Sequence, residues 1–99
     1  MCMIKDKKKD KIDILAKRLY LVGDVHRIKI LCCIMEHKKV CVSDITKDLG
    51  SNIAIVSHHL QVLAKEGILV SEREGKKISY KINKNSFTND LKRLICKYR

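Results

Sequence analysis

The 99-residue chain contains no proline and no tryptophan, only four glycines, and few aromatic side chains, which make up 4% of its residues. Proline ends or kinks helices and glycine weakens them, so their scarcity favours helices joined by short loops. No run approaches the roughly 18 apolar residues of a membrane-spanning helix, and we expect no membrane partner. No apolar stretch follows the charged N-terminus, so we expect a cytoplasmic protein without a secretory signal.

Acidic residues are also scarce, since 22 lysines and arginines face 11 aspartates and glutamates and leave a formal net charge of +11. A lysine-rich composition can reflect solubility or codon usage alone. A surplus this large in one small domain also suits a polyanionic partner, because each phosphate that a protein neutralises releases counterions. Double-stranded DNA is the partner that we expect from this balance.

Five cysteines, an odd number, occur in a chain that lacks a recognisable secretory signal. This usage favours free thiols in a reducing compartment over a disulfide scaffold. A Cys–His nucleophile is a weak alternative, because His58 and His59 lie far from Cys96 in the chain. The sequence also lacks a glycine-rich phosphate loop and paired carboxylates, so we predict no enzyme activity and no cofactor.

Hydrophobic periodicity divides the chain into a charged arm, residues 1–11, and a single domain, residues 12–99. Apolar residues recur at three- and four-residue steps from Ile12 onward, which predicts an amphipathic first helix. Gly23 ends that helix, and Asp24 can cap a second helix with the same periodicity. The domain therefore begins with two helices in sequence.

Residues 40–42 form a short extended link with strand character, which can pair with a later hairpin. A last helix is predicted over residues 86–98, where Leu91, Leu94 and Ile95 fall on one side. The first and last helices carry apolar stripes that the rest of so small a domain cannot cover completely. We therefore expect a symmetric homodimer in which these helices pack on their twins, with a monomer as the alternative.

The central part of the chain predicts a helix, a turn, a second helix and a two-stranded hairpin. Residues 43–50 form the first helix, and Asn52 can cap the second, whose inward side is Val56, Leu60 and Leu63. Gly67 supplies the left-handed stop, and a polar turn follows at residues 74–77. The fold class is mainly α with a small β-hairpin: a winged helix-turn-helix of about five helices, made to place one helix in a DNA major groove.

Four stretches carry a family pattern: residues 23–31, residues 56–60 (Val-Ser-His-His-Leu), residues 64–70 and residues 73–77. They resemble the ArsR/SmtB family of winged-helix repressors, and the match runs over about residues 19–82. The resemblance implies a homodimeric repressor that releases its DNA operator when an inducer binds or oxidises it. A winged-helix interaction module that has lost DNA binding is an alternative from a different functional class.

The inward side of the second motif helix leaves a set of residues facing outward toward DNA: Ala54, Ser57, His58, Gln61 and Lys65. At the wing, Arg73, Lys76 and Lys77 are placed to touch phosphates or to enter the minor groove. His59 leans toward the core and is interpreted as a partly buried structural imidazole. Ile53, Ala54 and Ile55 stand where the family usually has polar readers, so thymine methyl contacts, phosphate contacts and DNA shape should carry more of the recognition.

The cysteines are the residues that bear on the identity of the inducer. The family's zinc site on the last helix needs histidine and carboxylate ligands, and residues 86–99 contain no histidine and only Asp90. Its thiolate site for arsenic or cadmium has a Cys-Val-Cys-Asp pattern, which reads Cys-Val-Ser-Asp at residues 41–44 here. A metal or metalloid sensor that uses Cys41 with Cys2 remains the alternative, and we assign no metal ligand.

Cys32 and Cys96 resemble the cysteine pair of the family branch that senses persulfides. The resemblance implies that oxidation joins these two thiols by a disulfide or a short polysulfide bridge, with a small reactive-sulfur compound as the inducer. Basic neighbours should favour thiolates, since Arg93 and Lys97 flank Cys96. The competing interpretation is a small buried hydrophobe, which we favour for Cys33.

Overall fold

The computed structural model describes residues 11–99, which form five α-helices and one three-stranded antiparallel sheet. Residues 1–10, which make up most of the predicted arm and include Cys2, lie outside the described residues, and Lys11 is the first residue of α1. The elements in chain order are α1 (Lys11–Val22), α2 (Val25–His37), β1 (Lys39–Cys41), α3 (Val42–Leu49), α4 (Ile53–Lys65), β2 (Leu69–Glu74), β3 (Lys77–Ile82) and α5 (Ser86–Lys97). The predicted winged helix-turn-helix is confirmed.

The helix boundaries coincide with capping residues that were predicted from the sequence. The Asp24 carboxylate accepts from the backbone N–H groups of His26 and Arg27 at the start of α2. Gly50 has a φ of 61° after α3, in the left-handed region where a side chain would add strain. Gly67 has a φ of 77° after α4 and turns the chain into β2. These caps separate the two motif helices and set the hairpin beside the second.

The hairpin belongs to a larger sheet than the two-stranded wing of the prediction. Strand order is β1-β3-β2, with Val40 and Ser71 on either side of Tyr80. The predicted link at residues 40–42 does pair with the wing, but its last residue does not: Val42 is the first residue of α3. The Thr46 hydroxyl donates to the Val42 carbonyl at 2.8 Å, and local helical bonding overrides the strand preference of a β-branched residue.

The core is built around α2, α3 and α4. Ile30, Leu31 and Ile34 of α2 are fully buried, as is Ile45 of α3. The inward edge of α4 is equally closed to solvent, and Leu91 and Ile95 of α5 complete the cluster. This packing holds α4 by one side only, so its other side is available for contacts outside the domain.

The apolar residues of α1 and α5 are only partly covered in a single chain. Leu15 and Leu19 of α1 are 45% and 48% exposed, and Leu94 of α5 is 53% exposed. Val22 at the end of α1 is buried, so the helix is anchored there and open along most of its length. The expected surplus of apolar surface is therefore present along α1, whereas on α5 Leu91 and Ile95 are buried within the chain and Leu94 is the open member of the predicted stripe. None of the helices between residues 11 and 99 combines the length and apolar character of a membrane span.

Candidate DNA-binding surface and thiol sites

The helix predicted to enter the DNA major groove, which we call the reading helix, is α4, and it begins directly after the predicted cap Asn52. The Asn52 side-chain oxygen accepts from the Ala54 N–H at 2.7 Å, which satisfies one of the free N–H groups of the first turn. Val56, Leu60 and Leu63 are each no more than 1% exposed. Because side chains three and four residues apart share one face of a helix, this buried edge fixes which residues α4 presents outward.

No part of residues 11–99 covers the outward edge of α4, which is exposed to solvent. Of the predicted contact residues, Ala54, His58, Gln61 and Lys65 are exposed and Ser57 is half-buried. Ile53 and Ile55, 55% and 53% exposed, extend the edge at the helix N-terminus with apolar surface. The edge can therefore offer hydrogen bonds from its middle and methyl contacts from its start.

The tip of the hairpin is basic and exposed. Gly75 has a φ of 62° and shapes the turn, while Lys76 and Lys77 follow it with no ion pair among the described residues. The Arg73 Nε donates to the Gly75 carbonyl at 3.2 Å, which holds the guanidinium against the turn with most of its donors still uncommitted. All three predicted wing residues thus lie at the tip.

The wing's acidic residues are neutralised from the neighbouring strands. The Lys39 ammonium of β1 pairs with Glu72 at 3.2 Å and Glu74 at 3.1 Å, and Lys81 of β3 pairs with Glu72 at 2.7 Å. Hydrogen bonds from Lys81 and then Lys39 hold the Glu72 pKa below its usual range. These pairs leave the net positive charge of the hairpin concentrated at its tip.

A side-chain hydrogen bond links α2 to α4 and was not predicted from the sequence. The Arg27 Nε donates to Nδ1 of His59 at 3.0 Å, and its terminal nitrogen NH1 donates to the Leu21 carbonyl at 3.1 Å. The His26 ring stacks on the His59 ring with 6.1 Å between centroids and 7° between planes. His59 is half-buried, as expected, and Arg27 joins the end of α1 and the start of α2 to the reading helix.

Residues 24–71 match the family model described as bacterial regulatory protein, arsR family. Residues 24–71 are thus similar to an arsR-family regulatory domain. The cadmium resistance transcriptional regulatory protein CadC of Listeria innocua is 32% identical over 69 residues, which are 70% of this chain and 58% of CadC. The chain thus spans under two thirds of the length of that relative.

Solved structures show the same fold. HlyU from Vibrio cholerae superimposes with a TM-score of 0.82 at 18% identity, covering 92% of this chain and 98% of HlyU. A homodimeric winged helix-turn-helix DNA-binding domain from Mycobacterium bovis gives a TM-score of 0.75 at 26% identity, covering 97% of this chain and 84% of that domain. The family pattern at residues 23–31 lies at the start of α2, and that at residues 56–60 lies in α4 of this shared fold.

The four thiols of the described residues have different surroundings. Cys33 is buried, and burial, with a smaller contribution from a hydrogen bond with Asp48, raises its pKa to about 11. It is therefore held as a neutral thiol, in keeping with the structural interpretation. Cys32 is half-buried on α2 and Cys96 is exposed on α5, two helices that pack against each other. All four cysteines are free.

The basic neighbours of Cys96 have other partners. The Arg93 guanidinium pairs with the Asp90 carboxylate, and the Lys97 ammonium lies 5.9 Å from the centre of the Tyr98 ring. Neither interaction involves the Cys96 thiol, and the Arg93 charge is shared with the Asp90 carboxylate. The Cys96 side chain is exposed to solvent, so a dissolved reagent can reach its thiol.

Cys41 lies at the junction of β1 and α3. Its thiol donates to the Asp44 carboxylate at 3.0 Å and lies 3.3 Å from the Ser43 hydroxyl. Within residues 11–99, no group of three or more histidine, cysteine, aspartate or glutamate side chains is arranged to hold a metal ion. Within one chain, residues 11–99 therefore bring fewer than three such side chains together at Cys41, where the thiol lies beside the Asp44 carboxylate.

The Arg27–His59 link predicts a pH dependence. Burial, followed by the Arg27 charge, lowers the pKa of His59 below its ordinary value of 6.5. The folded protein therefore takes up the proton less readily than the unfolded chain, and stability should fall as pH drops from 6.5 toward the lowered folded pKa. In Arg27→Gln we expect the His59 pKa to rise part of the way toward 6.5, since burial remains. NMR titration of the imidazole C–H signals measures it.

The matched control for this titration is Lys29→Gln, which removes one positive charge from an exposed position on the same helix. We expect it to leave the His59 pKa close to that of the parent protein, because solvent screens an exposed charge at a distance. Equal changes in the two variants would contradict a specific role for Arg27.

Proposed function

We propose that this protein is a dimeric, sequence-specific DNA-binding repressor of the ArsR type. The observation that carries the proposal is the pairing of an open, polar edge on α4 with a basic hairpin tip in one ArsR-family domain. A helix of 13 residues is about 20 Å long at 1.5 Å per residue, which suits insertion into a major groove. Arg73, Lys76 and Lys77 would then contact the flanking backbone.

Selection from a pool of random duplexes tests DNA recognition directly. We expect one enriched sequence with two-fold symmetry, bound much more tightly than bulk DNA and released steeply as salt is added. In a matched test on that sequence, Ser57→Ala with Gln61→Ala should reduce the preference for it, whereas Ser86→Ala with Asn89→Ala, on α5, should not. Failure to enrich any sequence would refute the repressor proposal and favour an interaction module.

The exposed apolar stripe of α1, together with Leu94 of α5, supports the homodimer. Two copies related by a two-fold axis can cover the same stripe on each other, and apolar area removed from water contributes about 25 cal/mol per Å². The related domain from Mycobacterium bovis is itself described as homodimeric. Sedimentation equilibrium on the parent chain measures the dimer directly, and a chain that stays monomeric at high concentration would contradict it.

For induction we propose persulfide chemistry at Cys32 and Cys96. The Cys96 thiolate attacks the outer sulfur of a persulfide RSSH, takes that sulfur as Cys96–SSH and releases the thiol RSH. The Cys32 thiolate then attacks the Cys96 sulfur, forms the disulfide and releases hydrosulfide. The proposal is supported by the free, accessible state of Cys96 and by the contact between α2 and α5. A covalent bridge between these helices would strain the domain next to its proposed dimer surface.

Cys96→Ser is expected to bind operator DNA as tightly as the parent protein but to lose release by glutathione persulfide. Serine preserves the volume and cannot accept the transferred sulfur. Mass spectrometry of persulfide-treated parent protein should show an internal bridge joining the peptides of Cys32 and Cys96.

Cys41→Ser is the control for this variant, because its thiol is buried and hydrogen-bonded to Asp44. It should respond to persulfide as the parent protein does. A Cys96→Ser protein that still releases DNA would refute the proposed pair.

The alternative is a thiolate sensor of cadmium or arsenite that uses Cys41. Two observations favour it as the second candidate: the 32% identity to cadmium resistance regulators, and the Cys41 thiol beside the Asp44 carboxylate. Titration with cadmium should then produce the ultraviolet absorption of sulfur–cadmium bonds, and Cys41→Ser should abolish it. Release of DNA by cadmium in a Cys96→Ser background would select this candidate over persulfide.

A further inference from the structure

A cavity of about 630 Å³ lies between the end of α2, the base of the β2–β3 hairpin and the start of α5. Its volume falls in the range of small-molecule binding sites, about 300–1,000 Å³. It involves neither the outward edge of α4 nor the cysteines, so nothing in the proposed function accounts for it. We call it the lysine-lined cavity.

The floor of the lysine-lined cavity is apolar. Ile34 at the end of α2 is fully buried beneath it, while Val70 of β2 and Ile82 of β3 are half-buried along it. Met35 adds a flexible side chain that can adjust to the shape of a guest. A simple patch for binding phosphate would not need such a floor, so the floor indicates a ligand with an apolar part.

Four lysines, and no acidic residue, belong to the wall of the cavity: Lys38, Lys81, Lys84 and Lys92. Lys81 is neutralised by Glu72 at 2.7 Å, whereas the other three form no ion pair within residues 11–99. Lys38 follows α2, Lys84 lies in the link between β3 and α5, and Lys92 lies on α5, so no single helix pattern explains their convergence. Like charges that share a cavity repel each other, and an anion bound among them would relieve that repulsion.

The backbone at Lys38 supports a functional reason for one of these charges. Lys38 has a φ of 64° and a ψ of −57°, and it is the one non-glycine residue with positive φ among the described residues. Glycine would fit this position with less strain, because it has no side chain. Strained backbone of this kind gathers at ligand sites, where the surrounding structure holds it in place.

The polar groups of the wall are largely committed to the fold. The Asn83 amide donates to the Gly67 carbonyl at 2.9 Å, and the buried Thr88 hydroxyl donates to the Asn83 carbonyl at 2.7 Å. They hold the start of α5 against the turn after α4. Recognition in the cavity must therefore depend on charge and apolar contact more than on directional hydrogen bonds.

We propose that the lysine-lined cavity binds an amphipathic organic anion, namely a carboxylate with an unbranched alkyl chain. The carboxylate would lie among Lys38, Lys84 and Lys92, and the chain would cover Val70 and Ile82. The proposal does not rest on DNA binding, because the cavity, its charges and its floor all belong to the folded domain itself.

Calorimetric titration with octanoate, octanol and acetate tests the proposal on the parent chain. Octanoate should bind in a saturable way and at least about tenfold more tightly than octanol, which lacks the charge, or acetate, which lacks the chain. In two-dimensional NMR spectra, octanoate should shift the backbone amides of Asn83, Lys84 and Asn89. Equal binding of acetate and octanoate would overturn the proposal, because it would show a charged patch without an apolar site.

Lys84→Gln with Lys92→Gln should weaken octanoate binding about tenfold, a loss of about 1.4 kcal/mol. Both lysines are exposed, so the variant should keep its circular dichroism spectrum and unfolding curve. The matched control, Lys29→Gln with Lys47→Gln, removes the same charge from exposed positions outside the cavity. No saturable binding by the parent chain, or the same loss in both double variants, would overturn the proposal.

Discussion

Lys76→Glu combined with Lys77→Glu is expected to lower the affinity for the selected operator about a hundredfold. Each lysine is exposed at the hairpin tip without an ion pair among residues 11–99. A charge-assisted contact to phosphate contributes about 1.5 kcal/mol, roughly tenfold in affinity, so two lost contacts give the expected factor. The slope of log affinity against log salt should also become shallower by about 1.8.

The salt slope separates local contact from overall charge. Lys29→Glu with Lys47→Glu makes the same change in net charge at exposed sites on α2 and α3. That variant should lose some affinity through the long-range field and keep more of the parent slope. If the two double variants behave alike in fluorescence anisotropy across a salt series, the hairpin tip is not part of the interface.

Leu60→Ala is expected to reduce the free energy of unfolding by about 2–5 kcal/mol. Leu60 is fully buried on the inward edge of α4, where α2, α3 and α4 meet, and truncation would leave a cavity there. A domain of this size has only about 5–15 kcal/mol of stability in total, so the variant should unfold at much lower urea. Urea titration followed by circular dichroism, at one fixed protein concentration, measures the change.

The neighbouring residue supplies the control for Leu60. Gln61 lies on the outward edge of α4, and Gln61→Ala should change stability by no more than about 0.5 kcal/mol. In operator selection the order should reverse. Gln61→Ala should reduce the preference for the selected sequence more than Leu60→Ala does, because Gln61 is proposed to face bases. A Leu60→Ala protein as stable as Gln61→Ala would mean that α4 is not anchored by this edge.

The reading helix was predictable because its determinants are local. A capping asparagine, a three- and four-residue repeat of apolar residues and a glycine after the last turn are all visible within residues 52–67. The hairpin follows from alternation around a Gly-containing turn. The same kind of reasoning placed Asp24 at the start of α2, where its carboxylate accepts two backbone hydrogen bonds.

Contacts between distant segments could not be predicted in this way. Arg27 and His59 are separated by 32 positions, and nothing in either neighbourhood indicates that one donates to the other. The lysine-lined cavity likewise arises only when the ends of three elements meet. At Cys96, the sequence suggested that Arg93 would support a thiolate, whereas Arg93 pairs with Asp90 one turn earlier. Sequence proximity on a helix does not fix which neighbour a charged side chain contacts.

The order of strands in the sheet has a consequence for concentrated solutions. Among the described residues β2 is an outer strand, and its free side presents unpaired backbone groups to which a strand of another molecule can add. An antiparallel addition centred on Arg73 would set that arginine against its own copy and Glu72 against the copy's Glu74. Like charges directly opposite each other destabilise such pairing, so the β2 edge of the sheet should resist fibril growth in this register.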